Sequence, residues 1–215
     1  PRRERSQSQP QTSPTRASTN GDRPHNPRGS FRRRRRPSGA DGGDRRRHPE
    51  TPAETWSGTG QFGTLPVSAP VDHALVDMGY QTPTPIQERV IPIVRQRQDV
   101  VGQAQTGTGK TAAFGVPIVE TVDQGSRHPQ ALVLTPTREL AIQVSDEISR
   151  IGMYRDFKAI AIYGGQPMPG QIKALSEGVQ VVVATPGRLM DHMRRRTLSL
   201  ASIRIAVLDE ADEML

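Results

Sequence analysis

The sequence predicts an α/β fold: a parallel sheet covered by helices on both faces. Three observations carry this expectation. From about residue 62 onward, short apolar runs alternate with longer stretches of helical apolar spacing. The short runs are apolar throughout rather than at alternate positions, as strands buried on both faces require. A glycine-rich loop, Ala104-Gln105-Thr106-Gly107-Thr108-Gly109-Lys110-Thr111, falls between one such run and the next helical stretch.

In chain order, residues 1–58 read as a disordered basic extension. They are rich in Pro, Ser, Thr, Gly and Arg and almost empty of aliphatic residues, so they cannot bury enough apolar surface to offset their ordering entropy. Residues 1–50 hold 14 Arg against 5 acidic residues, whereas residues 51–215 hold 15 basic against 17 acidic ones. The formal charge of +7 therefore belongs to the extension, which is densest in Arg at 32–36 and 45–47. Such an arm attracts nucleic acid through counterion release, or is simply a solvated tail. Trp56 and Phe62 mark the approach to a folded unit expected over residues 59–215.

Residues 69–78 and 84–96 have helical spacing, and Pro83 and Pro85 suit a turn and a first helical turn. Strands are then expected at 99–102, 131–135, 159–163, 180–184 and 205–208, with helices at 109–121, 137–151, 169–176 and 187–195. In such a fold ligands bind at the carboxyl ends of the strands. The chain has no Cys, which excludes disulfides and thiolate metal sites and agrees with a cytoplasmic location. No apolar run approaches the roughly 20 residues of a membrane span. Residues 1–30 lack the apolar centre of a signal peptide.

The glycine-rich loop has the chemistry of a phosphate cradle. Gly107 and Gly109 let the backbone wrap so that N–H groups point at phosphate oxygens. Lys110 adds a positive charge for the β- and γ-phosphates, and Thr111 offers a hydroxyl to Mg2+. Ala104 stands where the general pattern has Gly. About a hundred residues on, Asp209 and Glu210 follow the apolar run Ile205-Ala206-Val207-Leu208. Asp209 at that strand end suits Mg2+, mainly through water, and Glu210 suits orienting or deprotonating an attacking water. Alone, such an acidic pair is equally a helix cap.

The run Asp209-Glu210-Ala211-Asp212 and the motifs upstream resemble the DEAD-box RNA helicases, over about residues 60–215. Gly79-Tyr80-Gln81-Thr82-Pro83-Thr84-Pro85-Ile86-Gln87 resembles that family's Q motif. The resemblance implies that Gln87 pairs with the N6/N7 edge of adenine and that Phe62 covers the adenine face. The alternatives are an exposed helix residue and a hydrophobic anchor. Pro136-Thr137-Arg138-Glu139-Leu140 resembles motif Ia, Gly164-Gly165 the GG element, and Thr185-Pro186-Gly187-Arg188 motif Ib. These imply contacts to RNA phosphates, with the glycines admitting close approach of the strand. Arginines 194–196 have no motif support and read as a solvated helix end.

The resemblance implies a RecA-like lobe that binds ATP and Mg2+, grips RNA with little regard to base, and couples hydrolysis to local duplex opening. It also implies a C-terminally truncated lobe, since no Ser-Ala-Thr motif and no second lobe with arginine fingers follow, and so a chain with weak or no ATPase activity alone. Two other readings stay open. One is a non-catalytic RNA-binding module gripping mainly through the basic arm; the other is a DNA-acting relative.

Overall fold

The computed structural model describes residues 60–105 and 107–214. The basic extension expected over residues 1–58 and the loop residue Thr106 lie outside the described residues.

The described chain opens on an antiparallel hairpin of β1 (Gln61–Phe62) and β2 (Leu65–Pro66), with Phe62 and Leu65 turned into the core. Helices α1 (Ala69–Asp77) and α2 (Pro85–Arg95) follow, each with Pro in its first turn, where the missing N–H costs nothing. Both helices end on the same device. Two N–H groups beyond the last turn reach back to its open carbonyls: Gly79 to Val76 and Tyr80 to Leu75, then Arg97 to Val94 and Gln98 to Ile93. The Tyr80 hydroxyl donates to Glu147 at 3.1 Å. Burial, then the Glu147 charge, pushes this phenol up to about 12.

The main sheet has four parallel strands in the order β4-β5-β3-β6. They are β3 (Ala131–Leu134), β4 (Ala159–Ile162), β5 (Val181–Ala184) and β6 (Ile205–Leu208). Ala131 sits beside Val181 on one side and Ile205 on the other. The remaining helices are α3 (Lys110–Thr121), α4 (Arg138–Ile151), α5 (Met168–Ser176) and α6 (Pro186–Arg194).

The unbroken apolar strands are explained by how their side chains divide. Ala131, Val133, Val181 and Val183 enter one core with Val116 and Val119 of α3 and Val144 and Ile148 of α4. Leu132, Ile162, Val182 and Ala184 enter a second core on the opposite face with Val179, Leu189 and Leu198. Each fully buried Val, Leu or Ile contributes about 1.5–3 kcal/mol relative to exposure. Both faces need apolar residues, so the period-2 pattern of a one-sided strand disappears.

One expected strand is absent. Residues 99–102 make no ladder; Val100 is 39% and Val101 100% exposed. Their composition is that of a strand, but a strand exists only where a neighbour supplies partners for its N–H and C=O groups. Among the described residues β6 is paired with β3 alone, and its outward-facing Leu208 is 60% exposed. Because the four strands are parallel, the segments following β3, β4, β5 and β6 all emerge along one edge.

Candidate nucleotide and nucleic-acid site

At that edge the glycine-rich loop turns into α3. Gly109 is the N-cap, with φ 82° and ψ 30°, a left-handed conformation that costs other L-residues about 1–2 kcal/mol. It swings the chain so that Lys110 and Thr111 open the helix, where backbone N–H groups and the helix dipole favour an anion. Lys110 and Thr111 are half-buried, as is Ala104; Gln105 and Gly107 are exposed. The Thr108 hydroxyl donates to the Gln105 carbonyl at 2.7 Å, which folds the loop on itself.

Gln87 braces the loop from α2. Its Oε1 accepts from the Thr84 N–H at 2.9 Å, the Gln half of a capping box, and its Nε2 donates to the Gly109 carbonyl at 3.0 Å. The residue has no accessible surface. The alternative of an exposed helix residue is therefore excluded. The amide touches the glycine-rich loop rather than facing solvent. Phe62 is 2% exposed and packs edge-on against Tyr80, with ring centroids 6.2 Å apart. It occupies the place of a hydrophobic anchor and shows no free face to a purine.

Asp209 continues the sheet, its N–H donating to the Leu134 carbonyl at 2.9 Å. Its side chain is buried. Desolvation pushes the carboxyl up, while the Lys110 ammonium and the Glu210 backbone N–H pull it part-way back. The glycine-rich loop and the end of β6 thus lie within each other's electrostatic reach. Glu210 stands at φ 52°, ψ 49°, a left-handed conformation unusual for a residue with a side chain, so backbone strain sits beside the acidic pair.

The donors here suit magnesium of one kind. Among the described residues no group of three or more His, Asp or Glu is placed to hold a metal ion. The site offers one buried carboxylate and one hydroxyl, Thr111. Magnesium keeps several waters and is held by one or two carboxylates together with substrate phosphates. The residues present fit an ion that arrives with a polyphosphate, not an all-protein cage.

Further along the edge, the other motif residues converge. Thr137 caps α4, its hydroxyl accepting from the Leu140 N–H at 3.2 Å, with Pro136 before it. Arg138 is exposed and lies over the Tyr163 ring, 5.1 Å from its centroid. One of its terminal nitrogens is 3.8 Å from where a Cβ on Gly165 would stand. Gly165 has φ 79°, and Gly164 beside it is open to solvent. After β5, the Thr185 N–H donates to the Ile162 carbonyl, while its hydroxyl makes no cap bond to α6. Pro186 and exposed Gly187 open that helix. Arg188 is turned inward: both terminal nitrogens donate to the Gln166 carbonyl at 3.1 Å. Arg194, Arg195 and Arg196 are exposed at the far end of α6, as the sequence suggested.

Sequence reasoning missed Gln166 and Gln171, which accept from Arg188, and Tyr163, His192 and Thr197, which are joined to it in series through Gln171. A signal was present. Arg188 and His192 are four apart, on one face of α6, and His192 falls on the buried side beside Leu189.

The sequence model of the family described as "DEAD/DEAH box helicase" matches residues 84–215. This chain belongs to the DEAD/DEAH box helicase family. This DEAD-box chain is 53% identical over 154 residues to the "DEAD-box ATP-dependent RNA helicase CshA" of Geobacillus kaustophilus, covering 72% of this chain and 33% of that protein. It is 50% identical over 155 residues to the "ATP-dependent RNA helicase DeaD" of Klebsiella pneumoniae, covering 72% and 24%. A crystal structure of a DEAD box protein from the hyperthermophile Methanococcus jannaschii superposes with a TM-score of 0.67 at 45% identity, covering 70% of this chain and 41% of that one. The four-stranded parallel unit is a RecA-like lobe. The DEAD-box chain spans about a quarter to a third of the length of the curated relatives it matches. No described helix is long and apolar enough to cross a membrane.

Proposed function

We propose that the chain is the nucleotide-binding lobe of an ATP-dependent RNA helicase. ATP with Mg2+ would lie against residues 104–111, Asp209 and Glu210, and an RNA strand along Arg138, Gly164, Gly165, Thr185 and Gly187. What supports this reading is that Lys110, at the start of α3, lies within electrostatic reach of Asp209, which follows β6 at the sheet edge where β3, β4 and β5 also end. In this reading the loop N–H groups and Lys110 hold the phosphates. Thr111 and Asp209 face the metal, mainly through water. Glu210 orients or deprotonates the attacking water. Mg2+, when bound, neutralises charge on the phosphoryl oxygens.

Gln87 ties adenine recognition to the phosphate loop. Its second N–H and second lone pair suit the adenine edge, provided that nucleotide entry uncovers the amide. The RNA contacts are backbone groups and phosphate-seeking side chains, so binding is indifferent to base. Opening a duplex belongs to the whole protein, with the chain supplying one wall of the site.

The test is Lys110→Ala in the full-length protein. RNA-stimulated ATP hydrolysis is expected to fall at least about a hundredfold, as for loss of a main charge-stabilising donor, while single-stranded RNA is still bound. Wild-type turnover in this variant would overturn the proposal. Competition between RNA and DNA of equal sequence separates the helicase of RNA from a DNA-acting relative.

A further inference from the structure

Behind the Gly164-Gly165 turn lies a buried chain of hydrogen bonds that the nucleotide chemistry does not use. The Tyr163 carbonyl, the last group before the turn, accepts from Gln171 Nε2 at 3.1 Å. Gln171 Oε1 in turn faces Arg188 Nη1 and His192 Nε2, each at 3.2 Å. His192 Nδ1 lies 2.8 Å from the Thr197 hydroxyl. Gln171 is 8% and His192 0% exposed.

The chemistry of each partner fixes the next. A carbonyl only accepts, so the Gln171 amide must present its nitrogen to Tyr163 and its oxygen to α6. That oxygen also only accepts, so His192 presents Nε2–H and leaves Nδ1 bare for the Thr197 hydroxyl. A neutral ring is what this setting favours: burial, then the nearby Arg188 charge, holds the imidazole below its usual range. With its amide so oriented, Gln171 steers Arg188 toward the Gln166 carbonyl, which the guanidinium grips with both terminal nitrogens.

We propose that Arg188 is a positioning residue, held by Gln171 and His192, that clasps the Gly164-Gly165-Gln166 turn in the shape that meets the RNA backbone. Its charge is committed to a carbonyl of the protein rather than to a phosphate of the ligand. The proposal rests on the RNA-binding reading above and refines the expectation that Arg188 simply adds charge. A guanidinium fork can bridge a carbonyl and an amide at once; an ammonium on a flexible stem cannot reproduce that geometry.

The test measures binding of a labelled oligouridine by the full-length protein, with a non-hydrolysable ATP analogue, over a series of KCl concentrations. Arg188→Lys keeps the charge and loses the clasp; affinity is expected to fall about tenfold, as for loss of a charge-assisted hydrogen bond. Arg188→Ala is expected to fall similarly, with the slope of log affinity against log salt unchanged. Gln171→Leu should match Arg188→Lys in RNA affinity while ATP-analogue affinity stays at the wild-type value, and the double variant should be no weaker than either single one. Thr197→Val, a milder change at the far end of the chain, should give a smaller loss of the same kind.

Wild-type affinity in Arg188→Lys overturns the inference. So does a slope in Arg188→Ala that flattens by about 0.7, the signature of one lost phosphate contact on a single strand. Wild-type protein that fails to bind oligouridine overturns the helicase reading itself, and the inference with it.

Discussion

Gly109→Ala tests whether α2 and the glycine-rich loop form one mechanical unit. Two costs follow from the structure. The backbone at residue 109 is left-handed, at φ 82°, so any side chain adds about 1–2 kcal/mol. The new methyl would also overlap Gln87 Nε2, standing 3.2 Å from Gln87 Cδ and 3.5 Å from Thr84 Oγ1. Displacing that amide breaks its bond to the Gly109 carbonyl, about 1 kcal/mol net. It also opens the α2 capping box, about another 1 kcal/mol. The sum is about 3–4 kcal/mol. With a slope near 2 kcal/mol per molar urea, the unfolding midpoint drops by about 1.5–2 M.

The assay is urea denaturation of the full-length protein, run also in a Gln87→Ala background. There the methyl meets no amide, so the cost of Gly109→Ala should shrink to the backbone part, about 1–2 kcal/mol. Strictly additive costs would refute the idea that residue 87 and residue 109 act through direct contact. If backbone strain were the whole effect, the two substitutions would ignore each other.

Three further outcomes are expected. Arg196, exposed and left-handed at φ 55°, closes α6 where glycine is the usual residue; Arg196→Gly should stabilise by about 1 kcal/mol and raise the melting temperature, and no rise would refute the strain. Asp209 has a raised folded pKa, so the native state holds its proton more tightly and the carboxylate costs stability as pH rises above about 4. Asp209→Asn should therefore melt higher than wild type at neutral pH without nucleotide, yet lose the extra stability that Mg2+-ATP confers; a lower melting point without nucleotide counts against this. His192 has a depressed folded pKa, with Arg188, Asp191 and Arg195 facing it. The unfolded chain then takes up a proton below about pH 6.5 that the native state refuses, so stability falls on acidification. His192→Gln should flatten the urea midpoint between about pH 7 and 5.5, and an unchanged pH slope would refute the assignment.

The strands at 131–134, 159–162, 181–184 and 205–208 were legible because four consecutive apolar residues between helical stretches have few other uses. The same rule misread 99–102. Nothing local tells Val100 and Val101 whether a neighbouring strand is there to pair with. The β1–β2 hairpin escaped notice for the opposite reason: two residues per strand carry no periodicity. At the site, residue types suggested a phosphate and metal chemistry for Lys110, Thr111 and Asp209. They did not announce the direction of an amide. Gln87 turns to Gly109 because Thr84, three residues before it, fixes its oxygen. Arg188 turns inward because Gln171 and the Gln166 carbonyl await it from another element. The Thr84 contact is local, but the partners Gly109, Gln166 and Gln171 lie 17 to 22 residues away and are settled by packing.

The strand order has a consequence for biosynthesis. β3 lies at the centre of the sheet yet is made first, and its neighbours β5 and β6 come later in the sequence than β4. The first strand to pair with it leaves the ribosome roughly fifty residues later, a delay of a few seconds at about 5–20 residues per second. During that interval Leu132, Val133 and Leu134 are sticky and unaccompanied on the nascent chain. Clustered rare codons between residues 135 and 180 should lengthen the wait and raise the share of newly made protein that pellets. The same codons placed after residue 214 should leave it in the supernatant.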